Sequence, residues 1–287
     1  MEKICFKYED DIINPCWDNV FKAIFTKDSP ESRGALAYLL SAIIKRSLTV
    51  LTIVANEPPV ESVNERQIRY DINCKFKSGE LCNIEMTLNP DTYEPIRLEY
   101  YSGKLFVSQD IRGKDKSYSD LKCSYQIALL VNDSIYDDDV FVHNFKYYDE
   151  ENGISLNGKS HIITIELSKL EQIAKKPVAE MSAIERWAVF FKYTPDKEKR
   201  EIINEIIKAE EGIAMGAQVL LSISKDENER ARLTSEYKFA VDLQSKMIDA
   251  RRAEKREIAN KMLKRGRPID EIIEDTGLTR EEIEELK

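Results

Sequence analysis

Histidine is nearly missing from this chain: His143 and His161 are the only two in 287 residues. A zinc centre built on histidine has too few ligands here. Cysteine offers no substitute. Cys5, Cys16, Cys74, Cys82 and Cys123 are odd in number and form no CxxC, so a disulfide framework is not expected. They read as small buried hydrophobes. No stretch approaches the ~20 apolar residues that span a bilayer. The longest, near Ala35 to Ile44, is interrupted and followed by Lys45-Arg46. The opening Met1-Glu2-Lys3-Ile4-Cys5 has no apolar signal core, so a cytoplasmic protein with no membrane partner is expected. Positive charge is also short. A net charge of −9 argues against a constitutive nucleic-acid coat. It leaves room for an enzyme on nucleic acid, which needs only a local basic rim.

What the chain does have is a hairpin with a divided character. Ile72-Asn73-Cys74-Lys75-Phe76 and Glu80-Leu81-Cys82-Asn83-Ile84-Glu85-Met86-Thr87 flank Lys77-Ser78-Gly79. A short loop ending in Gly is a common hairpin connection, because Gly accepts the left-handed backbone. That register sets Cys74 against Cys82, Ile72 against Ile84 and Asp71 against Glu85. Side chains alternate along a strand. One face is therefore Ile72, Cys74, Phe76, Cys82, Ile84 and Met86, a core. The other is Asp71, Asn73, Lys75, Leu81, Asn83, Glu85 and Thr87, almost all polar. Asp71 and Glu85 then oppose each other at about 5 Å, which destabilises a sheet unless a cation lies between them. A divalent metal with oxygen ligands is the economical cation. The ordinary alternative is two solvated acids on an exposed sheet face.

Around the hairpin the pattern is mixed. Asn14-Pro15 reads as a helix start, with Trp17, Phe21, Ile24 and Phe25 on one stripe and Asp18 one turn before Lys22. A helix is expected from about Ser32 to Arg46 and a strand from Ser47 to Val54, broken by Pro58-Pro59. A further helix should run from about Pro95 to Ile111, with a loop at Gly113 to Ser117. Strands should follow at Gln126 to Val131, Val140 to Tyr147 and His161 to Leu167, with a turn at Asn157-Gly158. The absence of a regular βαβ repeat points to an α+β fold with a mixed sheet. Beyond Leu167 the chain reads as helical and charged, with a long helix from Glu227 to Lys264 and no sustained heptad. Self-association is left open. The boundaries are set at 1–175 and 176–287. The end, with Gly266, Pro268, Gly277 and Thr279 as punctuation, resembles a helix-turn-helix, but its last helix is acidic and unsuited to the major groove. The basic stretch Arg251 to Arg267 is a better candidate for a nucleic-acid rim, with a solvated helix face as the ordinary alternative.

These pieces resemble the PD-(D/E)XK nuclease superfamily, and more closely its recombination-promoting nuclease and putative transposase branch. Asp18-Asn19-Val20-Phe21-Lys22-Ala23-Ile24-Phe25 is similar to its D-x-x-F-K-x-x-F opening. Asp71 matches the first core acid, and Asn83-Ile84-Glu85-Met86 the following segment. Arg97-x-x-Tyr100-Tyr101, Gln109 and Tyr118 are similar to the next helix and its sequel, and Thr276-Gly277-Leu278-Thr279 with Ile283 to the ending. The resemblance implies a restriction-endonuclease-like α+β fold and DNA phosphodiester hydrolysis with Mg²⁺ or Mn²⁺. Asp71 and Glu85 would be the metal ligands, Asp18 and Thr87 would join them in catalysis, and Arg97, Lys104 and Lys75 would be DNA contacts. Thr87 departs from the pattern, since Gln or Lys is usual two residues after the Glu. Its short, uncharged side chain opens an alternative, a degenerate nuclease-fold module that binds nucleic acid or protein.

Overall fold

A computed structural model describes residues 4–54, 69–111, 115–156 and 158–286. Pro58-Pro59, the start of the loop at Gly113 and Asn157 of the expected turn lie outside the described residues. The chain forms two compact units, Met1–Ala231 and Arg232–Lys287.

The strands are β1 (Val50–Ile53), β2 (Ile72–Phe76), β3 (Leu81–Thr87), β4 (Ser124–Leu130), β5 (Val142–Phe145), β6 (Tyr148–Asp149), β7 (Ile154–Ser155) and β8 (Ser160–Glu166). The helices are α1 (Asp18–Thr26), α2 (Pro30–Ile44), α3 (Glu94–Val107), α4 (Ala183–Tyr193), α5 (Arg200–Ala209), α6 (Glu211–Lys225), α7 (Glu227–Lys264), α8 (Ile269–Thr276) and α9 (Arg280–Glu284). No strand follows β8 among the described residues, as the charge-rich periodicity implies.

Six strands make one mixed sheet in the order β1-β2-β3-β4-β8-β5. β1, β2 and β3 run antiparallel, β3, β4 and β8 parallel, and β5 antiparallel to β8. The hairpin register is the expected one, with Ile72 opposite Ile84 and Cys74 opposite Cys82. Gly79 turns it at φ +91°. The small β6–β7 ribbon was not legible in the sequence.

Three expectations need correction. The first helix does not begin at Asn14-Pro15. These residues form a turn, in which the Asn14 carbonyl accepts the Trp17 N–H at 3.2 Å and its side chain accepts the Cys16 N–H at 2.9 Å. Proline favours the second turn position as much as the first helical one, so α1 starts only at Asp18. The polar hairpin face is covered where Asn83 and Glu85 lie, against the alternative of solvated acids, though Lys75 is exposed. Asn83 and Glu85 are buried, because α3 lies across β3, β4 and β8. Leu98 of α3 packs on Ala128 and Leu130 of β4, which share that face with Glu85 and Thr87 by register. Finally, the boundary expected at 175 falls inside the first unit. Trp187, Phe190 and Phe191 of α4 are fully buried. Their rings meet those of α1, with Phe25–Trp187 at 5.9 Å and Phe21–Phe191 at 5.7 Å. Such ring pairs bury large apolar areas, so α4 is part of the core that holds α1 in place.

In the second unit Ala259, Ile272, Leu278 and Ile283 form a separate small core. Gly277 ends α8 in the left-handed conformation, and Thr279 and Glu282 close a capping box on α9. The Thr-Gly-Leu-Thr motif thus has a structural role in this unit.

Glycine sets how closely α2 and α6 pack. A Cβ at Gly212 would lie 2.2 Å from the Tyr38 Cβ, whereas at Gly216 the nearest atom is 3.5 Å away, on Trp187. Gly212→Ala should therefore cost about 1–3 kcal/mol through overpacking. Gly216→Ala should be neutral or slightly stabilising, as a helical alanine is favoured over glycine. Urea denaturation of the two variants checks this. Equal midpoints would show that α2 and α6 part easily.

Candidate functional site

Three elements bring acids together at one end of the hairpin. Asp71 immediately precedes β2. Its Oδ2 accepts the Met86 N–H at 3.1 Å, which ties the carboxyl to β3 beside Glu85. Asp18, the first residue of α1, presents its carboxylate toward Asp71 through a shared cation: Lys22 Nζ lies 2.8 Å from Asp18 Oδ2 and 3.0 Å from Asp71 Oδ1. The i, i+4 spacing of Asp18 and Lys22 stacks them on one helical face.

Glu85 is held from the other side. Asn83 Nδ2 donates to its Oε1 at 2.7 Å and also to Gln126 Oε1 at 3.0 Å. Arg97 Nη2 of α3 lies 3.6 Å from Glu85 Oε2 and 2.7 Å from Glu94 Oε1. The same nitrogen donates to the Thr87 hydroxyl at 3.0 Å. The acids are thus partly compensated, Asp71 by Lys22 and Glu85 by Arg97.

The compensation is incomplete. Burial pushes the Asp71 carboxyl up to about 8, with the negative charges of Asp18 and Glu85 adding to the rise and Lys22 opposing it. Burial likewise pushes Glu85 up to about 7, helped by Glu94 and opposed by Arg97, Asn83 and Gln126. Burial alone would lower the Lys22 and Arg97 values, but the neighbouring carboxylates raise both. Two carboxyls driven toward their neutral forms by desolvation and neighbouring acids are a site short of positive charge.

Of the residues marked in the sequence, Asp18, Asp71, Glu85, Thr87 and Arg97 come together. Lys104 lies two turns along α3 from Arg97, its ammonium 5.9 Å from the centre of the Tyr100 ring. Lys75 is exposed on β2, four residues from Asp71 and about 13 Å along the strand. Sequence reasoning missed Glu94, Asn83 as a hydrogen-bond donor, and Gln126. Glu94 carried a signal in its i, i+3 spacing to Arg97. Gln126 stood out only as a polar residue in an otherwise apolar strand.

A second group also has metal-ligand chemistry. One ligand atom each from Asp138, His143 and Glu166 lie within 4.8 Å of one another. Lys169 already bridges two of them, 2.6 Å from Asp138 and in close contact with Glu166. Its ammonium lowers Asp138 to about 2. This cluster could take a metal only by giving up that lysine.

The raised Asp71 value fixes the sign of a pH effect. A carboxyl that holds its proton more tightly when folded stabilises the protein below its unfolded value of 3.8, and that stabilisation is lost as the pH rises to about 8. Asp71→Asn mimics the protonated form at every pH. In metal-free buffer its melting temperature relative to wild type should rise with pH, by at least about 2 °C at the alkaline end. A difference constant across that range would show Asp71 ionised throughout.

No helix among the described residues is long and apolar enough to cross a membrane. No curated protein and no solved structure matches the chain. One family model does, that of the PD-(D/E)XK nuclease family transposases, over residues 15–250. That span includes the acid cluster and the whole mixed sheet, and the chain belongs to the PD-(D/E)XK nuclease family transposases.

Proposed function

We propose that this chain hydrolyses DNA phosphodiester bonds in transposition or recombination, using Mg²⁺ or Mn²⁺ held by Asp71 and Glu85. The observation that supports this most is the electrostatic deficit of two carboxyls, half-buried Asp71 and buried Glu85, raised to about 8 and about 7. A nearby divalent charge would let both ionise at neutral pH. The donors are carboxylate oxygens, the set that Mg²⁺ and Mn²⁺ prefer, with Asp18 as a third. When bound, such an ion activates water and neutralises charge on the scissile phosphate.

The chain's own residues then divide the remaining work. Asn83 fixes one oxygen of Glu85, and the Met86 amide fixes one of Asp71. Lys22 is anchored by Asp18 as well as Asp71, so it stays in the cluster when Asp71 turns to a cation. Thr87 cannot supply the charge of the lysine more usual at its place. Arg97 can, because its Nη2 lies beside the Thr87 hydroxyl. In this reading Arg97 meets the reacting phosphate, with Thr87 orienting it. Lys104, Lys75 and the basic stretch Arg251 to Arg267 are left to contact the DNA backbone, where charge matters more than sequence. The cysteines are all unpaired, which accords with a reducing cytoplasm.

Plasmid nicking tests the reading. Wild type should cut in Mg²⁺ or Mn²⁺ and stop in EDTA. Asp71→Ala and Glu85→Ala should each slow cutting at least about 100-fold, near 2.7 kcal/mol of barrier. Arg97→Ala should slow it at least about tenfold. A wild type inert with both ions would leave a non-catalytic binding module of the same fold.

A further inference from the structure

Beside Glu85 the sheet carries a wholly buried pair of amides. Asn83 and Gln126 are register neighbours across β3 and β4, and neither exposes any surface. Asn83 precedes Glu85 by two residues, so the three side chains share the face under α3. A carboxamide nitrogen has two hydrogens. Asn83 commits one to Glu85 Oε1 at 2.7 Å and the other to Gln126 Oε1 at 3.0 Å. Turned over, the Asn83 amide would set its oxygen against two acceptor oxygens. Gln126 therefore acts as the second lock on the orientation that serves Glu85.

Packing does not call for glutamine here. Ala128 and Leu130, the next residues of β4 on this face, are apolar and pack against Leu98. A buried parallel strand is ordinarily apolar throughout. The pair also leaves Asn83 Oδ1 and Gln126 Nε2 buried with no hydrogen-bond partner among the described residues, an unfavourable arrangement in a core. Its compensation lies in what it does to Glu85.

We propose that Gln126 is a positioning residue for Glu85. It holds Asn83 nitrogen-first, which pins Glu85 Oε1 and leaves Oε2 turned to Arg97, 3.6 Å away. The inference rests on the metal-site reading above and adds a residue on the next strand to it.

The test is Mn²⁺ binding by the full chain, measured by isothermal titration calorimetry, together with melting in EDTA. Gln126→Met, close in volume but with no acceptor oxygen, should weaken Mn²⁺ about tenfold, as loss of an outer partner of a metal ligand typically does. Its metal-free melt should stay cooperative. Asn83→Ala should weaken Mn²⁺ at least as much. The double variant should lose less than the sum of the two, because Gln126 acts through Asn83. If Gln126→Met does not melt cooperatively, Gln126→Asn, polar but too short to reach Asn83, carries the same expectation. A purely structural role would lower the melting temperature and leave the Mn²⁺ affinity unchanged, overturning the inference while the metal site stands. A wild type that binds no Mn²⁺ would overturn both.

Discussion

Glu85 loses its hydration where α3 covers β3, and Asp71, half-buried ahead of β2, loses part of its own beside it. Each is pushed toward its neutral form by burial first and then by neighbouring acids, Asp71 by Asp18 and Glu85, and Glu85 by Glu94. Much around them can be understood as a response. Lys22 stands between Asp18 and Asp71, Arg97 between Glu85 and Glu94, and Asn83 donates into Glu85. The cations are shared, each between two acids, so neither carboxylate is fully compensated. A buried salt bridge of this kind contributes little to stability by itself. Its worth is in keeping acids close while leaving them receptive to a stronger cation.

The contrast with Asp138, His143 and Glu166 makes the point. There, Lys169 contacts both acids, and the Ile135 N–H and the Ser134 hydroxyl also donate to Glu166. Asp138 is held at about 2, well below the usual range, the opposite of what happens at Asp71. Similar ligand types thus give two electrostatic states. One is satisfied by its own chain and closes a loop over β8; the other is left with a deficit on the sheet face under α3.

Much of the first site was legible in the chain. Alternation and a Gly-ended loop sufficed for the hairpin register from Ile72–Ile84 to Lys75–Leu81, because strand periodicity is a local property. The i, i+4 relation of Asp18 and Lys22 was local too. What could not be read was what covers the hairpin. The burial of Asn83 and Glu85 depends on α3 crossing β3, β4 and β8, a non-local fact. The membership of α4 in the core depends likewise on Trp187 and Phe191 meeting Phe25 and Phe21. Gln126 was invisible for the same reason, since its partner lies 43 positions away. Asn14-Pro15 failed differently, because the same dipeptide serves a turn and a helix start, and only the side-chain bond to Cys16 separates them.

The most direct measurement is a crystal structure of the full chain grown with Mn²⁺, with the ion located by its anomalous scattering. The account predicts a peak bounded by Asp71 and Glu85, with Lys22 moved off Asp71. A peak beside Asp138, His143 and Glu166 instead, or none at saturating Mn²⁺ with the Lys22–Asp71 pair intact, would contradict it.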